Sequence, residues 1–426
     1  MTTGAGQPAL ARRLGTTDAV VIGLGSMLGA GVFAAFAPAA AAAGAGVGVL
    51  VALAVAATVA YCNATSSAQL AAQYPTSGGT YFYGRQQLGP WWGFLAGWGF
   101  VVGKTASCAA MALTFAAYAT PGLLERPVAA AAVVALAAVN YRGITRTARV
   151  TRVLVVVVLL ALAVVVAASF LGGEAAAERV LDGDGAAIGP YGVLQAAGLL
   201  FFAFAGYARI ATLGEEVRDP RHTIPRAISA ALGATVAIYV TVAVAALAVL
   251  GSDGLAASAA PLGSAVEAGS WAWAGWVVRI GGAAATLGAL LALVAGVGRT
   301  AMAMGRAGDL PDWLAAVHPR HQVPHHAEVA LAVVVCVLVL SLDLRGAIGF
   351  SSFGVLVYYL VANLSALRQT VPDRRFPRPL QVVGAVGCVV LVATLPGSSV
   401  AAGAGVFAIG VAYRCWRLVQ ASRVRP

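Results

Sequence analysis

The sequence has 426 residues, of which 60% are hydrophobic and only 10% are charged, whereas soluble domains contain about 25% charged residues. This composition excludes a soluble globular protein and predicts a polytopic membrane protein. The formal net charge is +11, but the arginines are divided among connecting segments, which argues against a basic surface for nucleic acid.

Twelve apolar segments are candidates to cross a bilayer, for which a helix needs roughly 20 residues. With the N-terminus inside, 21 of the 27 Lys and Arg residues fall in inner segments and three in outer loops. The positive-inside rule therefore places both termini in the cytoplasm. The segments, of which the fourth and ninth are short, are 18–43, 46–72, 91–119, 127–140, 150–171, 190–213, 227–250, 271–303, 327–342, 346–367, 380–395 and 400–416.

The first span contains the segment GLGSMLGAGVF at 23–33, in which four residues are glycine. Each glycine costs a helix about 1 kcal/mol relative to alanine, and open backbone at membrane depth is tolerated only inside protein or beside a wet cavity. We therefore predict a break whose free N–H and C=O groups form half of a binding site. Gly25 and Gly29 also fit a small-xxx-small packing pattern, which stays open as a second use.

The sixth span, LLFFAFAGYARIATLGEE at 199–216, has Gly206 among small and aromatic residues. A pair of glycine-interrupted segments at corresponding positions of two halves is the best sequence pointer to a transporter's binding site. The first and sixth spans correspond in an inverted repeat of five plus five helices. We therefore predict that the two breaks face each other near the middle of the membrane.

At this point the chain resembles the amino acid–polyamine–organocation (APC) permeases, over most of its length. The resemblance rests on GLGSMLGAGVF (23–33), PTSGGTYFYG (75–84), FAFAGYARIATLGEEVRDPRHTIPRAI (202–228) and GRTAMAMGRAGDLP (298–311). It implies an all-α membrane fold of twelve helices. Within this fold, a leucine-transporter-type inverted repeat of five plus five helices is expected, in which helices 1 and 6 are discontinuous. The expected division is an inner N-terminal tail at 1–17, five-helix repeats at 18–171 and 190–368, two extra helices at 379–418 and an inner C-terminal tail at 419–426.

The resemblance also assigns binding residues around the two breaks. It places a substrate carboxylate against the backbone N–H groups of the first break, formed by Gly25, Ser26, Met27, Leu28, Gly29, Ala30 and Gly31. A substrate α-ammonium would face the carbonyls of Phe204, Ala205 and Gly206, with Tyr207 nearby. The first half of this assignment agrees with the partial positive charge at a helix N-terminus. Phe204 is either a gate over the pocket or plain packing.

Lys104 is the only lysine in the chain and lies in the middle of the third span. A charge there costs at least about 2.5–3.5 kcal/mol, so a functional role is the first hypothesis. We interpret Lys104 as a proton carrier or internal counter-charge, with a static hydrogen-bonded role as the alternative. Some proton-coupled family members carry a lysine in span five, but span five of this chain has none.

Two further residues concern gating and coupling. Arg209 follows the break in span six and either pairs with Asp18 or Glu215 in an inner gate, or extends to the cytoplasm. The sodium site of this fold uses paired hydroxyls from span eight, where this chain offers Thr286 without a neighbouring Ser or Thr. Sodium coupling is therefore less favoured than proton coupling.

The spans carry no Asp or Glu well inside them, so a second positive charge on the substrate would stay unpaired at a cost of several kcal/mol. We therefore expect the substrates to be neutral, zwitterionic amino acids. The family resemblance implies a secondary transporter that carries them across the cytoplasmic membrane by alternating access, and we expect proton symport to drive it. An amino acid exchanger of the same fold is the alternative. A membrane-embedded enzyme would need converging nucleophile, base or metal ligands within the spans, which we do not find.

The expected partners are an amino acid, a proton and the lipid bilayer, with no nucleic acid and no cofactor. The oligomeric state stays open. Four histidines, at 318, 321, 325 and 326, lie close together after span eight. Their spacing fits no structural zinc pattern, so we expect no metal and interpret this segment as an inner loop.

Overall fold

The computed structural model describes residues 14–76, 78–120, 122–143, 148–181 and 189–424. Within these ranges the chain is a bundle of α-helices with short connections, and an isolated parallel bridge joins Leu14 to Val217. The first nine helices are α1 (Thr16–Met27), α2 (Ala30–Ala34), α3 (Phe36–Ala43), α4 (Gly46–Gln73), α5 (Gly79–Gln87), α6 (Pro90–Ala119), α7 (Glu125–Tyr141), α8 (Ala148–Leu171) and α9 (Ala177–Leu181).

The second half contains the longest helices and several single 3₁₀ turns. Its helices are α10 (Pro190–Phe204), α11 (Ala208–Ala211), α12 (Pro220–Ala257), α13 (Pro261–Glu267), α14 (Gly275–Arg306), α15 (His325–Ser341), α16 (Leu344–Leu367), α17 (Arg378–Thr394) and α18 (Gly397–Val424). The 3₁₀ turns are Ala205–Tyr207, Ala272–Ala274, Asp312–Ala315 and Val371–Asp373.

Nine helical segments of the described chain are long and apolar enough to cross a membrane, and α15 and α17 are shorter apolar helices. All eleven coincide with predicted spans, and α7 occupies the position of the short fourth one. The total of twelve spans and the inverted repeat stay predictions. On α8 the side chains of Val153, Val156 and Leu160 are more than half exposed, as expected of a helix face that contacts lipid.

Small residues let α6 approach α16 closely. A Cβ on Gly354 would lie 2.7 Å from the carbonyl oxygen of Gly99, and one on Gly103 would lie 2.9 Å from the carbonyl oxygen of Ser351. The hydroxyl groups of Ser107 and Ser351 are 2.6 Å apart and hydrogen-bonded. Close backbone contact through small residues is the usual way that membrane helices associate, and here it fixes the position of the helix that carries Lys104.

The predicted inner ends of the bundle are joined by backbone bonds and ion pairs. Leu14 N–H donates to Glu216 O at 3.1 Å, and Arg218 N–H donates to Leu14 O at 2.9 Å. Asp18 at the start of α1 pairs with Arg152 of α8. These contacts connect the start of the first span to the segment that follows the sixth.

A second contact at these predicted inner ends is a buried charge cluster around Asp309, which follows α14. Its carboxylate accepts hydrogen bonds from Arg85 at 2.7 Å, from Tyr81 at 2.8 Å, and from Arg414 of α18. The guanidinium of Arg414 also lies 4.8 Å from the ring centroid of Phe94. Burial, together with the hydrogen bond to Asp309, raises the pKa of Tyr81 to about 12, so the phenol stays protonated and keeps donating.

Candidate functional site

The first span is broken at Leu28 and Gly29, inside the glycine-rich segment. Helix α1 ends at Met27, Gly29 has φ −87° and ψ −139°, and α2 begins at Ala30. Helices α2 and α3 form one bent rod, because Ala35 between them keeps right-handed helical angles. Pro38 of α3 lacks the N–H that would bond to the carbonyl of Ala34. The predicted break in span one is therefore present.

The sixth span differs from the prediction, because it tightens instead of unwinding. Helix α10 ends at Phe204, a 3₁₀ turn covers Ala205–Tyr207, and α11 follows at once. The backbone angles of Phe204, Ala205 and Ala208 remain near those of a helix. A short stretch of 3₁₀ helix interrupts the i→i+4 ladder without opening the chain, so this interruption is milder than the one in span one.

Glycines bring the two interrupted segments into direct contact. A Cβ on Gly206 would collide with the carbonyl of Ser26 and lie 2.8 Å from Met27 N, and a Cβ on Gly31 would collide with the backbone of Ala203. Gly25 and Gly29 pack as well, since a Cβ on Gly25 would lie 3.1 Å from side-chain atoms of α8 and a Cβ on Gly29 would lie 2.9 Å from the Cβ of Ala289. Both interpretations of these two glycines therefore apply. The residues at the break are closed off from solvent, with Leu28 and Phe204 at most 1% exposed.

Tyr239 of α12 connects the two segments, and sequence reasoning did not identify it. Its phenol oxygen is 2.5 Å from Met27 O, at the end of α1, and 3.0 Å from Ala203 O, near the end of α10. Its ring lies 5.1 Å from that of Phe204. Buried carbonyls need a hydrogen-bond partner, and the single O–H of Tyr239 lies within reach of one carbonyl at each interruption.

The carbonyl of Ala205 in the 3₁₀ turn receives two side-chain donors. Tyr359 Oη of α16 donates to it at 3.2 Å, and Lys104 Nζ of α6 donates to it at 3.4 Å. Lys104 is 9% exposed, and this is its one hydrogen bond within the described ranges. The structure thus brings Lys104 to the carbonyl that the family resemblance assigns to the substrate's amino group.

The ring of Tyr359 is held on several sides. Its centroid is 5.0 Å from that of Tyr207, 5.7 Å from that of Phe201 and 5.1 Å from that of Tyr358. One turn further along α16, Asn363 donates to Tyr359 O at 3.0 Å. The same amide bonds to Asn63 and Ser66 of α4, each at 2.6 Å. This buried polar contact between α4 and α16 was also absent from the sequence-based prediction.

The remaining predicted residues have local partners. Ser26 Oγ donates to Ile22 O, one turn back in its own helix. Thr286 Oγ1 donates to Gly282 O and Ala283 O, also within its own helix. Arg209 is exposed and donates to Thr212 Oγ1 at 3.3 Å. Since Asp18 pairs with Arg152, the proposed pairing of Arg209 with Asp18 is absent from the described structure.

Sequence comparison identifies the protein class. An uncharacterized transporter of Mycobacterium tuberculosis is 60% identical over 416 residues, which cover 98% of this chain and 93% of the relative. The branched-chain amino acid permease BcaP of Bacillus subtilis is 26% identical over 407 residues, 89% of this chain and 85% of the relative. The chloroplastic cationic amino acid transporter 7 of Arabidopsis thaliana is 28% identical over 385 residues, 84% of this chain and 66% of the relative. The amino acid permease family model matches residues 18–395, so the chain belongs to this family of the APC superfamily and is a multi-pass membrane transporter, not an enzyme.

Proposed function

We propose that this permease carries neutral, zwitterionic amino acids across the cytoplasmic membrane by alternating access, with both termini inside. The proposed moving parts are the five-helix repeats at 18–171 and 190–368, with 379–418 as two accessory helices. The observation that carries this proposal is the meeting of the two interrupted segments, where Gly206 packs against Ser26 and Met27.

The two segments offer opposite poles to a zwitterion. The first N–H groups of a helix have no acceptor within it and carry a partial positive charge. The rod that begins at Ala30 therefore suits a carboxylate. The carbonyl of Ala205 already binds the ammonium group of Lys104, so it suits the amino group of a substrate.

Neutral substrates fit the charges around this site. The hydrogen-bonding partners of Ala205 O include the cationic side chain of Lys104, and none of the six ion pairs within the described residues involves Lys104. A basic amino acid would bring its second positive charge close to this ammonium without a carboxylate to offset it. The relatives' names divide between branched-chain and cationic amino acids, and the local charge favours the first class.

Proton symport is the proposed driving mechanism, with amino acid exchange as the alternative. Lys104 supports proton coupling because it is a buried ionisable group in contact with the substrate site, and intramembrane ionisable residues commonly form proton relays. Thr286 gives sodium little support, since its hydroxyl bonds to carbonyls of its own helix.

Purified protein in liposomes tests each part of the proposal. Labelled leucine and labelled arginine are offered with and without an inside-alkaline pH gradient, and empty liposomes serve as the control. We expect leucine to accumulate only with the gradient. Preference for arginine would refute the substrate class, and uptake that requires internal amino acid would favour the exchanger. Transport of neither, nor of any other amino acid in a panel, would refute the proposal itself.

A further inference from the structure

The Ala205 carbonyl accepts hydrogen bonds from two side chains, one for each of its lone pairs. A carbonyl oxygen has two lone pairs, and the side chains of Tyr359 and Lys104 both donate to this one. A substrate's ammonium group can therefore bind Ala205 O only if one of the two side-chain donors leaves.

Lys104 is the donor that can leave. The ring of Tyr359 is in contact with three other aromatic rings, those of Phe201, Tyr207 and Tyr358. Lys104 has a flexible four-carbon stem, and its hydrogen bond to Ala205 O, at 3.4 Å, is longer than the 3.2 Å bond of Tyr359. A lysine ammonium and a substrate α-ammonium are also chemically the same kind of donor.

We propose that Lys104 is a built-in substitute for the substrate's amino group, which occupies Ala205 O whenever the carrier is empty and is displaced when substrate binds. This inference rests on the proposed function, in which Ala205 O receives the substrate's amino group. It makes Lys104 a competitor of the substrate, a role distinct from carrying a proton.

The substitute matters for one step of the transport cycle, the return of the empty carrier. With Tyr359 as its single side-chain donor, Ala205 O would keep one lone pair without a partner in a closed site, which carries a cost, and Lys104 fills that lone pair until substrate binds. Net uptake requires the empty carrier to return, whereas exchange between two pools of substrate does not. Loss of the ammonium should therefore impair net uptake and leave exchange intact.

The test uses liposomes with equal pH on both sides, so that proton coupling does not affect the result. Lys104→Met keeps the stem and removes the donor. Lys104→Gln keeps a neutral N–H donor on a side chain that is one bond shorter. Thr114→Val is the matched control, because Thr114 is buried on the same helix and donates to Ala110 O of that helix. Each variant is assayed for downhill net uptake into empty liposomes, for counterflow, and for substrate binding.

For Lys104→Met we expect net uptake to fall at least tenfold, counterflow to stay within about twofold of wild type, and the substrate to bind several-fold more tightly. Lys104→Gln should keep more net uptake than Lys104→Met, and Thr114→Val should match wild type. Parallel loss of net uptake and counterflow in Lys104→Met, unchanged net uptake, or weaker binding would each overturn the inference. If Lys104→Met does not fold, a Lys104→Gln variant that loses both activities together overturns it as well. Absence of both activities in the wild type would instead refute the proposed function.

Discussion

Gly206 has no space for a side chain, so Gly206→Ala should separate the two interrupted segments. A Cβ at this position would collide with the backbone carbonyl of Ser26 and lie 2.8 Å from Met27 N. Both neighbours are backbone atoms, which cannot rotate away as the end of a flexible side chain can. The methyl group therefore forces the sixth span away from the first.

The size of the effect follows from the cost of overpacking, which is typically about 1–3 kcal/mol. Since 1.4 kcal/mol corresponds to a factor of ten, the closed conformation should lose roughly 5- to 150-fold in population relative to states in which the segments have separated. Transport that passes through this closed state should fall by a similar factor. The thermal unfolding midpoint in detergent should also fall, because the packed contact is strained.

Gly233→Ala is the matched control. Gly233 lies inside α12, and a Cβ there would have no heavy atom within 4 Å. Replacing a helical glycine by alanine stabilises a helix by up to about 1 kcal/mol, so this variant should keep uptake and lose no thermal stability. Gly206→Ala with more than half of wild-type uptake, or with the same thermal midpoint as Gly233→Ala, would refute the reasoning.

Three other perturbations test the remaining contacts. Tyr239→Phe removes the one O–H donor that Met27 O and Ala203 O share, at about 1–3 kcal/mol for the buried carbonyl that it leaves unpaired, so uptake and thermal midpoint should both drop. An undiminished midpoint would show that these bonds contribute nothing. Asp309→Asn leaves the positive charges of Arg85 and Arg414 without their carboxylate and should lower the free energy of unfolding by about 3 kcal/mol. The control Asp312→Asn removes an exposed pair with Arg417 and should lower it by at most about 1 kcal/mol. Equal losses for the two variants in detergent unfolding curves would contradict this. Replacing sodium by choline should leave labelled uptake unchanged because the hydroxyl of Thr286 bonds within its own helix, and a marked decrease would establish sodium coupling.

The helical elements could be predicted because their signals are local. Apolar length located the spans, and the four glycines of 23–33 located the break, which the structure places at Leu28 and Gly29. The interruption of span six was predicted correctly at Gly206, but it was predicted as an open segment, whereas the structure has a 3₁₀ turn there. A single glycine flanked by Ala205 and Tyr207 permits either an open segment or a tightened turn, and packing against Ser26 decides between them.

The partners of the site could not be predicted because they are distant in sequence. Tyr239 reaches a carbonyl 212 positions away, and Tyr359 reaches one 154 positions away. No local pattern distinguishes these tyrosines from others that lie in apolar helices. Lys104 could be singled out because a charge in mid-span is costly, but its position beside Ala205 depends on how closely α6 and α16 approach each other.

The phenol of Tyr239 has a single hydrogen and two acceptors within reach, Met27 O and Ala203 O. The hydroxyl can turn its hydrogen from one carbonyl oxygen towards the other by rotation about the C–O bond of the phenol. If the two segments move relative to each other, as the proposed alternating access requires, the phenol can keep one acceptor while it leaves the other. Tyr239 is therefore a shared contact, in which the loss of either carbonyl leaves the phenol bonded to the other.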